Sequence, residues 1–151
     1  MNSVIERIVE EGQGAAGQGQ YVDAEVLSAL SIFADSMAAR SAAYEAIQNQ
    51  EKAIVEEACQ SVKGYADPEK LIREMTLLLR HTALAMLMDD ATVLMEGGLS
   101  WVRAIAEAQQ QQELYVATSE KLMAATLKAL PADQGSLLQP FLSMIPQTLK
   151  S

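Results

Sequence analysis

Between residues 70 and 90 the chain reads KLIREMTLLLRHTALAMLMDD, which gathers three cations, three carboxylates and the only histidine of the protein into a stretch of helical character. Increments of three and four place Lys70, Arg73, Glu74, Leu77, Arg80, His81 and Leu84 on one stripe, opposite Ile72, Met75, Leu79, Thr82 and Met86. The stripe mixes cations, one carboxylate and large apolar side chains, a combination that either holds something or is merely wet. Taken by periodicity alone, it is also the ordinary wet exterior of a globular helix, on which Glu74 pairs weakly with Lys70 or Arg73.

Other chemistry finds little support. Cys59 and His81 are the only cysteine and the only histidine, and the pattern assigns them to different helices, so no nucleophile and base are brought together locally. A structural zinc site generally needs four cysteine or histidine ligands, and the chain has two in all. The acid pairs Glu10-Glu11, Glu56-Glu57 and Asp89-Asp90 are sequence neighbours, which a helix points about 100° apart, so they suit solvated faces and caps better than acid–base dyads. No catalytic residue and no metal site are expected, and nothing in the chain demands an enzyme.

The elements that must carry the stripe follow from spacing and punctuation. Val4, Ile5 and Ile8 suit a short amphipathic helix over 2–11, ended by the GQGAAGQGQ connector of 12–20. That connector follows no strand and precedes no Lys-Ser or Lys-Thr pair, so it is not a phosphate loop. From Asp23 onward Val26, Leu27, Leu30, Phe33 and Met37 mark a buried stripe, and the polar run Gln48-Asn49-Gln50 predicts a bend or a new helix near 47, closed by Gly64. Asp67-Pro68-Glu69 is a strong helix start, so the 70–90 stretch is helical. Asp89-Asp90 should end it and cap a short segment over 91–96, and Gly97-Gly98 should turn the chain before Leu99, Val102 and Ile105. A helix is predicted over 112–129, after which Pro131, Gly135, Pro140 and Pro146 should break the rest into short pieces. No stretch alternates as a strand does, so the class is all-α.

The whole chain sets the frame. Its 151 residues, half of them hydrophobic, fit a single domain with a real core. A net charge of −9 disfavours nucleic acid and anionic lipid as partners. One cysteine permits no internal disulfide, and MNSVIERIVEEGQG does not look like a secretory signal, so a cytoplasmic location is expected. The most apolar run, Thr76 to Met88, is 13 residues long and holds Arg80 and His81, too short and too charged for a membrane span of about 20 residues.

The order of residues adds what periodicity cannot. Lys70-Leu71-Ile72-Arg73-Glu74, then Leu77-Leu78-Leu79-Arg80, Asp89-Asp90-Ala91 and Gly98-Leu99 resemble, in step, the chromophore helix of the phycobiliproteins, which runs Lys-Cys-x-Arg-Asp-x-x-Tyr-Tyr-Leu-Arg and continues to Gly-Asp-Pro and Gly-Leu. GQYVDAEVLSAL and AIQNQEKAIVEEA extend the likeness over roughly residues 2–130. The resemblance implies a globin-like phycobiliprotein fold, with residues 1–20 as an N-terminal helical extension and 21–151 as the globin core. It departs at Leu71, which stands where the family has the cysteine that forms a thioether to the bilin; no covalent link can form there. Leu77 and Leu78 replace the aromatic pair, and Trp101 stands where a small residue is usual.

The combination is most similar to the bilin biosynthesis-associated globins. It implies non-covalent binding of a linear tetrapyrrole such as biliverdin by Lys70, Leu71, Arg73, Glu74, Leu77, His81 and Trp101, with Arg73 on a propionate and Glu74 on the pyrrole N–H groups. The same resemblance implies assembly into homo- or hetero-oligomers through the N-terminal helices, with enzymes of bilin synthesis as further partners. A second reading is a pigment-free structural subunit that pairs with bilin-bearing relatives. A haem-binding globin is disfavoured, because residues 98–110 contain no histidine to serve as an axial ligand.

Overall fold

A computed structural model describes residues 3–62, 64 and 67–151. Among the described residues every regular element is helical: α1 Val4–Gly17, α2 Ala24–Gln60, α3 Pro68–Met88, α4 Ala91–Leu94, a π-helical segment Met95–Leu99, α5 Ser100–Ala108, α6 Gln112–Ala129 and α7 Ala132–Lys150. The all-α class read from the sequence is the class observed.

Helix starts follow the capping chemistry. Ser3 and Glu6 form a reciprocal capping box at α1, Asp23 accepts from the Val26 amide at α2, and Asp67 accepts from the Lys70 amide at α3 with Pro68 in the first turn. Asp89 ends α3 in a left-handed conformation, φ 49°, and Asp90 caps α4 through the amide and hydroxyl of Thr92. The Asp89-Asp90 pair therefore does both jobs expected of it.

Four boundaries differ from the sequence expectation. Helix α1 does not stop at residue 11 but continues through Gly12 and Gly14 to Gly17, and closes where Gly19 takes φ 71°. A Cβ at Gly12 would press within 3.3 Å of Val22, in the connection before α2, whereas Gly14 and Gly17 face open space. Helix α2 runs unbroken for 37 residues and ends at Gln60, short of Gly64. Its polar run faces outward at Gln48 and Asn49, while Ala43, Ile47, Ile54 and Ala58 keep one buried stripe across it, so there is no reason to bend.

At Gly97-Gly98 there is no turn; the π-helical segment carries the chain straight from α4 into α5. The prolines do not break α7 either, because Pro140 and Pro146 sit inside one 19-residue helix. An internal proline costs about 3 kcal/mol. Leu138, Phe141, Leu142, Ile145 and Leu149 are all buried from this helix, at about 1.5–3 kcal/mol each, and that packing outweighs the two prolines.

The core lies where α2, α3, α6 and α7 meet, with Met75, Leu78, Leu79, Met86, Leu122, Leu142 and Ile145 among its sealed side chains. Helix α1 packs chiefly on α2 and buries none of its own residues. Among the described residues no helix is long and apolar enough to cross a membrane.

Candidate functional site

Helix α3 does not turn its charged stripe uniformly outward. Arg73 and Arg80 are exposed, Lys70 and Leu77 are half-buried, and Leu71 and Glu74 face inward, only 2% and 5% exposed. The reason is angular: Leu71, Glu74, Met75, Leu78 and Thr82 share the side of α3 that meets the core, and Glu74 lies in the middle of it. A carboxylate there needs a partner. It finds one in Tyr115 of α6, fully buried, whose hydroxyl donates to Glu74 Oε2. The expected surface pairing of Glu74 with Lys70 or Arg73 is thus replaced by a buried bond to a tyrosine.

That bond satisfies half of the carboxylate. Glu74 Oε1 is buried with no hydrogen-bond partner among the described residues. Among the described residues it is an acceptor oxygen with unused lone pairs at the centre of the core-facing side of α3.

One turn further along, His81 is fixed from two sides. Its Nδ1–H donates to the Leu77 carbonyl at 2.8 Å, which leaves Nε2 as the acceptor nitrogen. Its ring lies against the π-helical backbone: a Cβ built on Gly97 would fall 2.5 Å from His81 Cδ2, and one on Gly98 3.2 Å from Nδ1. The two glycines therefore serve close approach rather than a turn, and the π-helical geometry accommodates the ring. Trp101, at the start of α5, is 61% exposed.

Of the residues predicted for the site, the structure places Lys70, Leu71, Arg73, Glu74, Leu77 and His81 along successive turns of α3 and Trp101 on α5, which follows the π-helical segment that packs on His81. It does not join Lys70, Arg73 or Trp101 to Glu74 by any hydrogen bond or ion pair among the described residues, and it packs Leu71 into the core. Arg80, outside the predicted set, is engaged by Glu51 of α2 through Nε–Oε1 at 2.5 Å and Nη2–Oε2 at 3.0 Å; that hydrogen bond first, and the Glu51 charge second, raise its pKa further.

Tyr115 and Glu51 are the partners of Glu74 and Arg80 that sequence reasoning did not supply. Tyr115 was open to discovery in principle, as a tyrosine in the apolar stripe of α6, because a buried phenol needs somewhere to donate. Cys59 is half-buried, and burial pushes its thiol up to about 11, so it is not an activated nucleophile. Among the described residues no three metal-ligating side chains cluster.

Comparison with curated proteins finds no match. Comparison with family models aligns residues 13–149, from the second half of α1 almost to the end of α7, with the phycobilisome protein model. That span includes both partners of the Glu74–Tyr115 pair and the whole helical frame that positions it; the chain belongs to the phycobilisome protein family, a family of bilin-related pigment proteins and subunits.

Proposed function

We propose that the protein binds a linear tetrapyrrole without a covalent bond, for carriage or sequestration of the pigment in bilin metabolism. The observation that carries this reading is Glu74 Oε1, a buried carboxylate oxygen without a partner among the described residues, beside one that Tyr115 holds in place. A tetrapyrrole supplies pyrrole N–H donors that converge on one acceptor and propionates that want cations. Glu74 accepts the former; Arg73 and Lys70, the cations nearest to it along α3, take the latter. Leu77, His81 and Trp101 offer apolar and aromatic surface to the body of the pigment. Leu71 has no sulfur to form a thioether; it shares with Glu74 the core-facing side of α3 and offers apolar surface there.

The test is titration with biliverdin followed by absorption, then denaturation in acidic urea and gel filtration. A saturable, red-shifted band that washes out on denaturation is expected, and Glu74→Gln should weaken it at least tenfold. No spectral change on titration would overturn the reading.

A second reading has its own support. Ile5 and Val9 on α1, and Leu27 and Ile32 on α2, leave large apolar side chains in solvent. Such a face favours a structural subunit that assembles with bilin-bearing relatives through its N-terminal helices. Under that reading hetero-oligomers form unchanged when Glu74 is substituted.

A further inference from the structure

Exposed apolar side chains and unbalanced charge gather in the same part of the chain. Of the nine large hydrophobic residues that stand in solvent among the described residues, Ile5, Val9, Tyr21, Leu27 and Ile32 lie in α1, the connection and the start of α2. Helix α1 packs chiefly on α2 and buries none of its own residues, and α2 buries only Val26 before Ala43. This arm shows water an apolar surface that the core does not use, and such a concentration marks an interaction site where single exposed residues would not.

Charge selects the occupant. Residues 3–45 carry seven carboxylates, all exposed, against two cations. Arg40 is only 11% exposed and is engaged inward with the Met86 carbonyl and Asp89, so Arg7 alone faces solvent. Folding α1 back on α2 sharpens the imbalance, because Arg7 and Glu11 share one hollow with Asp23 and Glu25. Two copies docked by this face would bring both sets of carboxylates together, and nucleic acid or anionic lipid would be repelled in the same way. A second copy docked head to tail would need a cationic face. Among the described residues Arg80, Arg103, Lys128 and Lys150 are already paired with Glu51, Glu107, Glu57 and Glu120. That leaves Lys70 and Arg73 on α3, and Lys121, which donates to Ser61, as single positive charges too few to match seven carboxylates.

We infer that α1 and residues 21–45 form a docking face for a different protein chain, one whose surface has an apolar centre rimmed by lysine and arginine. These segments offer roughly the 20–30 residues a side of a standard interface. Taking this face as an interface rests on the assembly reading above; the sign of the partner's charge, and the exclusion of a homo-oligomer built on this face, go beyond it.

The experiment uses the full chain labelled with 15N and three synthetic helical peptides of equal length. One has a leucine face and a lysine rim, the second a leucine face and a glutamate rim, and the third a lysine rim with glutamine in place of leucine. The first should give saturable shifts centred on α1 and residues 21–45, and each of the others should bind at least about tenfold more weakly. Val9→Ser with Leu27→Ser, both at exposed positions, should weaken the first peptide to the level of the third. Sedimentation of the protein alone should show no dimer that Leu27→Ser disperses. Equal affinity of the two leucine-faced peptides would overturn the charge assignment, and equal affinity of the two lysine-rimmed ones would reduce the face to a patch of acids that attracts any cation. Shifts absent or centred elsewhere, or a dimer dispersed by Leu27→Ser, would overturn the docking face or make a second copy its occupant. The assembly reading fails by a separate result, the absence of any hetero-oligomer with a bilin-bearing relative, and the comparison of peptides on the unaltered protein needs no variant to fold.

Discussion

Tyr115 and Glu74, 41 positions apart, meet as a buried phenol and a buried carboxylate, and the phenol satisfies only one of the two oxygens. A partly satisfied carboxylate in a core is costly, so the pair reads as a site held ready rather than as a device for stability. Tyr115→Phe should therefore cost about 1–3 kcal/mol in urea unfolding, because it strands a buried acceptor. Glu74→Leu, which removes the stranded group altogether, should be less damaging to stability than Tyr115→Phe while eliminating the response to biliverdin. If Glu74→Leu proves the more destabilising of the two, the carboxylate is structural.

The closeness of His81 to Gly97 makes a second prediction. A methyl group at Gly97 would meet the imidazole at 2.5 Å, so Gly97→Ala forces either the ring or the π-helical backbone to move. A loss of about 1–3 kcal/mol is expected, as for other overpacked sites. His81→Ala should recover most of that loss in the Gly97→Ala background, and a double-mutant cycle by thermal unfolding measures the coupling. Additive losses would mean that the ring yields freely.

Arg40 ties α2 to the end of α3. It donates to the Met86 carbonyl and to Ser36 Oγ, lies 3.8 Å from Asp89 Oδ1, and sits 5.5 Å from the centre of the Phe33 ring. A cation on the last carbonyls of a helix is favourably placed, and here its side chain is only 11% exposed. Arg40→Ala should cost about 2–3 kcal/mol, and Asp89→Asn, which keeps the carbonyl contact, clearly less. Denaturant midpoints of the two variants decide between them.

Cys59 gives the pH dependence. Its thiol is raised from 9.0 to about 11 by burial, so near pH 9 only about a hundredth of it is ionised in the native protein, where an unburied thiol would be about half ionised. Alkylation by iodoacetamide at pH 9 should be slow in the folded protein and fast once urea is added. The stability linkage has the matching sign: the folded state holds the proton more tightly, so this contribution is present below pH 9.0 and is lost as pH rises toward about 11. Rapid native alkylation at pH 9 would mean that the sulfur reaches solvent.

What the sequence determined by itself was local. Side chains one turn away set the caps at Asp67 and Asp90 and the 112–129 helix, and the order Lys70-Leu71-Ile72-Arg73-Glu74 set the family. The tertiary structure decided everything that depends on a neighbour far along the chain. Pro140 and Pro146 stay helical because α7 is packed along its length, and Gly97-Gly98 continue the chain because the ring of His81 needs their missing Cβ atoms. Glu74 is the clearest case. Spacing of three and four places it equally well on a wet stripe or on the edge of a buried one, since a single helix has no inside until another packs against it; Tyr115, arriving on α6, is what makes that side of α3 the interior.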